Sequence, residues 1–361
     1  MINFLRLSLG EDAADVQDAI ARVLARGWFI LGPELEAFEQ EFAAASGAAR
    51  AVGVGTGTDA LAIALRALDI GAGDEVITSP LSAAYSALAI MMAGARPVFA
   101  DIDPDRLTLD PAAAAAAVTS RTAAIMPVHL YGQPADMTAL TAVARRHNLA
   151  IVEDCCQAHL ATCAGTPVGT FGEAGAFSFY PTKNLGALGD AGAIVMNDDG
   201  LAARAARLRN GGQTGRYQHA EFGVNSRLDE MQAAILRARL PFLRSWTDSR
   251  RSVARCYRAA LAAVTTITVP PERDPGHVYH LFPVRSRVRD AMREHLRTKG
   301  VETLIHYPIP IPQQPAVASE RPAECPVATT VCGEVFSLPL FPGLPPAAVD
   351  TIAAALATGP A

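Results

Sequence analysis

Short apolar runs alternate along this chain with longer segments that have helical periodicity. The runs are almost continuously hydrophobic, which is typical of strands that are buried on both faces of a sheet. We predict strands at Glu75–Thr78, Arg96–Asp101, Thr122–Val128, Ala150–Glu153, Ala176–Phe179 and Ala193–Met196. We predict helices between them at Asp59–Leu68, Ser82–Ala93, Met137–His147 and Gly200–Arg209. This alternation favours crossover units and a mainly parallel sheet, so we expect an α/β fold.

The pattern changes after about Leu240. A proline, Pro241, ends a helical segment, and the following segments predict a smaller α+β unit. Its expected parts are helices at Leu243–Leu261 and Val288–Lys299, strands at His280–Val284 and Val301–His306, a proline-rich segment at Pro308–Pro326, and a helix from Pro346. We therefore predict a large α/β domain with an N-terminal arm over residues 1–240 and a small domain over residues 241–361.

One uncharged stretch, Val76–Ala95, is about as long as a membrane span. It contains several serines, a proline and a tyrosine, so a buried strand that continues into a buried helix explains it better. The N-terminus has no basic region followed by a long apolar stretch, and we predict no secretion signal. We expect no membrane partner.

The six cysteines have no metal-ligand spacing. We predict reduced, buried or partly buried thiols, no metal site and a cytoplasmic location.

Composition narrows the class of protein only a little. The 361 residues are 50% hydrophobic and 19% charged, which excludes a disordered chain. The formal net charge is -5 and the isoelectric point is about 5.9, whereas a general nucleic-acid binder is expected to be basic. We therefore predict no nucleic-acid partner.

A glycine-rich segment at 51–61 is the first candidate for chemistry. Glycines let a ligand approach the backbone, and the helix that follows presents free N–H groups to an anion. Thr58 stands where a dinucleotide fingerprint needs its third glycine, and no Gly-Lys-Ser/Thr ending is present. The segment thus predicts either a phosphate site or a structural turn that caps a helix.

Asp154 and Lys183 are the other candidates. Asp154 follows a predicted buried strand, where ligands bind in open α/β sheets, although it could instead cap the next helix. Lys183 follows an apolar aromatic strand; desolvation there would lower the pKa of its amine and make it nucleophilic, while a solvated loop lysine is the alternative. A phosphate cradle, a carboxylate for a pyridinium nitrogen and a Schiff-base lysine are together what pyridoxal phosphate requires.

The motifs that carry these residues resemble the DegT/DnrJ/EryC1/StrS family of sugar aminotransferases. The resemblance spans nearly the whole chain and implies fold type I of the pyridoxal-phosphate enzymes, usually a homodimer with shared active sites. It rests on the segments 27–32, 57–61, 71–77, 127–132, 153–159, 178–185 and 223–230.

The resemblance also implies a role for individual residues. Lys183 would bind the cofactor covalently, Asp154 would pair with its pyridinium nitrogen, and Gln157 would contact its ring oxygen. Other residues would hold the phosphate or contact the substrate: Gly57, Thr58 and Ser178 for the phosphate, Asn225 for the phosphate of the partner subunit, and His306 and Tyr307 for the substrate.

The chain departs from the family pattern at two places. Ala83 occupies the place of an aromatic residue that stacks on the cofactor ring in many relatives, and Tyr85 is the candidate to replace it. Pro312 and Gln313 stand where relatives often have a second histidine after the His-Tyr-Pro motif.

The resemblance implies transamination from an amino acid, L-glutamate by expectation, to a keto-sugar nucleotide, with pyridoxamine phosphate as the intermediate cofactor form. Residues 216–230 look most similar to the branch that acts on dTDP-linked 3-keto-6-deoxyhexoses. Amination at C4, amination of a cyclitol and a non-catalytic regulator on the same fold remain alternatives. A nicotinamide dehydrogenase is disfavoured by the interrupted glycine fingerprint, and dehydration by the retained Lys183.

Overall fold

A seven-stranded sheet forms the centre of the protein. A computed structural model describes residues 1–317 and 323–360. The strands of this sheet are β1 (Arg50–Val54), β2 (Glu75–Thr78), β3 (Arg96–Phe99), β4 (Thr122–Met126), β5 (Ala150–Asp154), β8 (Ala174–Ser178) and β9 (Gly192–Met196). Their spatial order is β1-β9-β8-β5-β4-β2-β3, and only the pairings of β9 with β1 and β8 are antiparallel. The predicted α/β fold with a mainly parallel sheet is confirmed.

Helices cover both faces of this sheet. Those that come before the end of the predicted large domain are α1 (Ala13–Arg26), α2 (Pro33–Ser46), α3 (Gly57–Ala67), α4 (Tyr85–Met92), α5 (Pro111–Ala116), α6 (Met137–His147), α7 (Asp199–Leu208) and α8 (Glu230–Arg239). Two short hairpins project from the loops, β6 (Thr162–Cys163) with β7 (Thr166–Pro167) and β10 (Gln213–Gly215) with β11 (Gln218–His219). Helix α3 is buried along most of its length in the largest apolar cluster, so its N-terminus is held firmly against the sheet.

The C-terminal part builds an apolar core of its own. Its elements are α9 (Leu243–Leu261), β12 (Phe282–Arg285), α10 (Arg289–Thr298), α11 (Pro326–Glu334), β13 (Val335–Leu338) and α12 (Pro346–Ala357). Strands β12 and β13 pair antiparallel, and α9, α10 and α12 pack on them around Tyr257 and Phe336. The division of the chain at residue 240 stays a prediction.

Three local predictions need correction. Residues 301–306 form no strand: Val301 bridges only to Ile2 and Leu304 only to Ser337, and single bridges to two different partners do not build a ladder. Helix α4 begins at Tyr85 rather than Ser82. The glycine-rich segment begins as a strand, β1, which the sequence did not indicate. Of the predicted proline-rich segment 308–326, residues 318–322 lie outside the described part.

The uncharged stretch at 76–95 is β2 followed by α4, as predicted, but the helix is only partly buried. Tyr85 and Met92 are exposed, while Ser86 and Ile90 face the interior. No helix of the described residues is both long and apolar enough to cross a membrane.

Candidate active site

The candidate residues meet at one edge of the sheet, where the parallel strands end. Asp154 is the last residue of β5 and Ser178 the last of β8, and Gly57 begins the helix after β1. Because β5 and β8 are parallel neighbours, their carboxyl ends lie side by side, with Asp154 paired to Ala176. This is the position at which ligands bind in open α/β sheets.

Asp154 is buried and its carboxylate is held from two sides. One oxygen, Oδ2, accepts a hydrogen bond from Ser86 Oγ at 2.8 Å, and Oδ1 accepts one from the Cys156 backbone N–H at 3.1 Å. A turn, not a helix, follows this strand, so the alternative role as a helix cap does not apply. Ser86 is a positioning residue that the sequence analysis missed, because only the fold places α4 against the end of β5.

Lys183 lies in a loop that folds back on the end of β8. Its N–H donates to the Tyr180 carbonyl at 2.8 Å, and Ala187 N–H donates to Phe179 O at 2.7 Å. Burial of the amine lowers the pKa of Lys183, and the neighbouring Cys156 and Asp154 oppose that shift. Lys183 is half-buried rather than fully solvated, and the lowered pKa favours the neutral, nucleophilic amine.

The N-terminus of α3 provides a tight cradle. The Thr56 side chain caps the helix by accepting from Asp59 N–H at 3.0 Å, and the first intrahelical bond runs from Ala60 to Thr56. The N–H groups of Gly57 and Thr58 precede that bond, so the helix leaves them for an anion.

Gly57 is required at this point by close packing. A Cβ here would lie 2.7 Å from the Cβ of Ser178 and 2.8 Å from Cys156 Sγ. The backbone of α3 thus approaches the ends of β5 and β8 as closely as only glycine allows.

Gln157 connects the predicted cofactor side of the site with the predicted substrate side. Its Oε1 accepts from Tyr131 N–H at 2.7 Å, and its Nε2 donates to the Tyr307 hydroxyl at 3.0 Å. The Tyr131 hydroxyl donates in turn to the His306 carbonyl. Burial raises the pKa of Tyr307 to about 12, so this hydroxyl remains protonated at neutral pH.

His306 lies half-buried beside this network. Its Nδ1 is 3.0 Å from Ser337 Oγ, and its ring stacks on Phe4. Burial and the charge of Lys183 lower the pKa of His306 to about 4, so the imidazole is neutral at neutral pH.

Two predicted residues are exposed. Tyr85 is 63% exposed at the start of α4, and Ala83 precedes it in the loop. Asn225 is exposed, and its backbone bridges to Asn210. The next residue, Ser226, accepts from Gly55 N–H at 2.9 Å and donates to Asp59 Oδ2 at 2.7 Å. The Asn225 segment is therefore attached to the glycine-rich turn of its own chain.

A buried cluster of three side chains could suggest a metal site, but its histidine and its carboxylate already form hydrogen bonds within the protein. His129, Glu153 and Cys155 lie close together. His129 Nδ1 accepts from Ala135 N–H at 3.0 Å, so Nε2 carries the proton and donates to Glu153 at 3.0 Å. Glu153 also accepts three backbone N–H bonds from Gly169 and residues 171–172. This arrangement fixes the end of β5 and satisfies the buried carboxylate.

Comparison with known proteins decides the family. The sequence profile of the DegT/DnrJ/EryC1/StrS aminotransferase family matches residues 11–357. The chain belongs to this family.

Individual relatives are similar over nearly their full length. The chain is 49% identical to the dTDP-3-amino-3,4,6-trideoxy-alpha-D-glucose transaminase of Streptomyces venezuelae, covering 94% of this chain and 90% of the relative. It is 48% identical to the erythromycin biosynthesis sensory transduction protein EryC1 of Saccharopolyspora erythraea, covering 96% and 95%. The crystal structure of S. venezuelae DesV with a ketimine intermediate superposes with a TM-score of 0.95 at 48% identity, covering 98% of this chain and 97% of DesV.

Membership of this aminotransferase family confirms the predicted fold type I, the transaminase activity and the dependence on pyridoxal phosphate. The site fits the cofactor by its own geometry. The N-terminus of α3 lies so close to the strand ends that no Cβ fits at Gly57. The oriented Asp154 carboxylate and the Lys183 amine lie at the same strand ends. The site also contains His159, and neither of its buried ring nitrogens has a hydrogen-bond partner among the described residues. Burial lowers the pKa of His159 to about 3, so its ring is neutral at neutral pH.

Proposed function

We propose that this aminotransferase moves the amino group of L-glutamate to a dTDP-linked 3-keto-6-deoxyhexose in the biosynthesis of an amino sugar. The observation that carries the proposal is the convergence of Lys183, Asp154 and the N-terminus of α3 at one edge of the sheet. The name of the S. venezuelae relative, a dTDP-3-amino-3,4,6-trideoxy-alpha-D-glucose transaminase, supports the substrate class.

Each residue has a separate task in this proposal. When bound, pyridoxal phosphate stabilises the negative charge that develops at the amino-acid Cα. Lys183 would hold the cofactor. Its released amine would take the proton from the amino-acid Cα as a positioned base and give it to C4′ of the cofactor as an acid. Ser86 and the Cys156 N–H hold the Asp154 carboxylate in place. Its negative charge would keep the ring nitrogen of the bound cofactor protonated.

The remaining residues orient the reactants. Gly57, Thr58 and Ser178 hold the phosphate, Gln157 contacts the ring oxygen, and Tyr85 covers the ring where Ala83 cannot. His306 and Tyr307 contact the sugar nucleotide as neutral groups. Neutral side chains suit this task, because an imidazole and a phenol can each donate and accept hydrogen bonds.

Asn225 completes the phosphate site of the partner subunit in a homodimer. Its exposure in the single chain agrees with a contact that only a second copy supplies. The segment 27–32 has exposed apolar side chains at Trp28, Phe29 and Ile30, and Ile30 bridges to Asp229, a few residues after Asn225.

We place the reaction in the cytoplasm. All six cysteines are unpaired, as expected for a reducing compartment. Cys256 is exposed on α9, contrary to the expectation of buried or partly buried thiols.

A trapping experiment tests the role of Lys183. The sequence has two lysines, Lys183 and Lys299, and the second is exposed at the end of α10. Borohydride reduction of the holoenzyme should fix the cofactor on the peptide that contains Lys183. The adduct should be absent in Lys183→Ala and unchanged in Lys299→Arg. An adduct on Lys299, or none in the wild type, contradicts the assignment.

A substrate screen tests the reaction. We expect L-glutamate to convert the cofactor to its pyridoxamine form, and a dTDP-3-keto-6-deoxyhexose to reverse the conversion. A 4-keto-sugar nucleotide and a keto-cyclitol serve as competing acceptors. If either one is converted faster, it is the substrate class and the proposed 3-keto sugar is not. A protein that traps the cofactor but converts no acceptor would favour a regulatory role, as the name of the EryC1 relative suggests for that protein.

A further inference from the structure

The hydroxyl of Ser226 contacts the glycine-rich turn of its own chain, next to a residue that is assigned to the site of the partner subunit. Ser226 is 4% exposed, whereas Asn225, the residue before it, is exposed. Ser226 Oγ accepts a hydrogen bond from Gly55 N–H at 2.9 Å and donates one to Asp59 Oδ2 at 2.7 Å. The proposed reaction gives this buried side chain no task.

These two bonds enclose the expected phosphate cradle. Gly55 and Asp59 stand on either side of Gly57 and Thr58, whose backbone N–H groups are left for an anion at the start of α3. A Cβ on Gly55 would lie 3.2 Å from Ser226 Oγ and 3.4 Å from Asp59 Oδ2, so the three groups are in close contact. One hydroxyl therefore holds both ends of the turn that forms the cradle.

The backbone holds the same segment from the other side. Ser226 N–H donates to Arg209 O at 2.9 Å, and Gly211 N–H donates to Val224 O at 2.8 Å. These bonds flank an antiparallel bridge at Asn225. Successive side chains of an extended segment point to opposite faces. Because Ser226 points inward to its own chain, Asn225 points outward.

We propose that Ser226 is a positioning residue for both active sites of the homodimer: its hydroxyl holds the phosphate cradle of its own chain, and the same two bonds fix the direction in which Asn225 reaches the cofactor of the partner subunit. Without the hydroxyl, Gly55 N–H and the Asp59 carboxylate lose a buried partner, and the Asn225 segment keeps only its backbone bonds. The inference rests on the proposed homodimer with shared sites.

Hybrid dimers that contain one altered chain separate the two effects. Two chains with different affinity tags are co-expressed, and purification through both tags yields the hybrid. The hybrid apoenzyme is titrated with pyridoxal phosphate, and borohydride reduction at each concentration fixes the cofactor on Lys183. The intact mass then shows which chain carries the cofactor, so the affinity of each site is measured without a turnover assay.

The hybrid of wild type and Ser226→Ala has two different defects. One site contains the loosened cradle, and the other receives Asn225 from the altered chain. We expect the affinity for pyridoxal phosphate to fall at both sites, by about threefold each, and by about tenfold in the Ser226→Ala homodimer, where both defects act on every site. Asp59→Ala removes the acceptor of the same hydroxyl and should give the same pattern in its own hybrid.

Two further hybrids serve as controls. Asn225→Ala should weaken only the site whose Lys183 belongs to the wild-type chain, because the lost contact reaches across the dimer. Ser245→Ala removes an exposed hydroxyl on α9 and should change neither site.

The outcomes keep the two proposals apart. If Asn225→Ala behaves as expected but Ser226→Ala weakens only the site of its own chain, the role of Ser226 is local and this inference alone is overturned. Loss at the site of the wild-type chain alone, or at neither site, would also overturn it. If Asn225→Ala weakens the site of its own chain instead, the shared site fails and the inference fails with it. Absence of trapping in the wild type would refute the role of Lys183.

Discussion

Gly57 shows how a single residue shapes the candidate site. Its missing Cβ lets α3 contact Ser178 and Cys156 directly. Gly57→Ala should push the helix N-terminus away from the strand ends, at a cost of about 1–3 kcal/mol, and so weaken binding of pyridoxal phosphate roughly 10- to 100-fold. Equilibrium titration of the apoenzyme, followed by cofactor absorbance, measures the effect.

Gly333 offers a matched control. It lies in α11, and no atom lies within 4 Å of a Cβ placed on it. Gly333→Ala should therefore leave cofactor binding unchanged and stabilise the helix slightly. If both variants bind the cofactor like the wild type, α3 packs less tightly on the strand ends than the Gly57 contacts indicate.

At the scale of elements, Glu230 joins two segments that are about 200 positions apart. It is fully buried, and it accepts from the backbone N–H groups of Gly32, Glu34 and Leu35, each at 2.9 Å. Its carboxylate thus caps the N-terminus of α2 and holds the 27–32 segment beside the residues that follow Asn225.

Loss of this cap should be costly. Glu230→Ala leaves three buried donors without a partner, and we expect the free energy of unfolding to fall by about 3 kcal/mol in urea titrations. Glu230→Gln keeps one acceptor oxygen and should lose less. Glu36→Ala, at an exposed position in the same helical turn, should cost less than about 1 kcal/mol. Similar losses for Glu230→Ala and Glu36→Ala would contradict the cap.

Glu75 is another buried carboxylate that joins separate segments, at the opposite ends of the strands. Burial alone would raise the pKa of Glu75, but hydrogen bonds from Thr119, Arg96 and Arg121 outweigh it and lower the pKa to about 2. A depressed carboxyl pKa contributes stability above the unfolded-state value and loses it as the pH falls through the folded-state value. The window here lies between about pH 4.5 and pH 2.

Unfolding at several pH values tests this contribution. At pH 7 the wild type should exceed Glu75→Gln by about 2 kcal/mol, a figure reduced for the exposure of both arginines, and the difference should vanish toward pH 2. Asp199→Asn removes a fully exposed ion pair with Arg50 and should have little effect at any pH. A difference for Glu75→Gln that does not depend on pH would refute the ionic origin.

At the scale of the whole molecule, the proposed dimer predicts complementation between inactive variants. Lys183→Ala and Asn225→Ala damage different halves of a shared site. If Asn225 acts on the partner subunit, a mixed dimer of the two variants contains one intact site, and refolding an equal mixture should restore about a quarter of wild-type activity. If Asn225 acts within its own subunit, the mixed dimers gain no intact site, and activity stays at the average of the two variants.

The sequence by itself determined what depends on local pattern. Continuous apolar runs indicated buried strands, so the bounds of β2 to β5, β8 and β9 were predicted closely. The bounds of helices α6 and α9 were predicted to the residue. A glycine-rich turn, Asp154 and Lys183 follow one another along the chain. Together they pointed to a pyridoxal phosphate enzyme, because this cofactor needs a phosphate cradle, a carboxylate for its ring nitrogen and a lysine amine.

Only the tertiary structure decided which distant residues meet. The glycine-rich β1 is a strand because β9 pairs with it, and residues 301–306 are not one because no single partner continues beside them. Ser86 at Asp154, Glu230 at α2 and Ser226 at Asp59 are contacts between elements far apart in the chain. Local periodicity carries no information about such pairs, since hydrogen bonds depend on positions that packing alone sets.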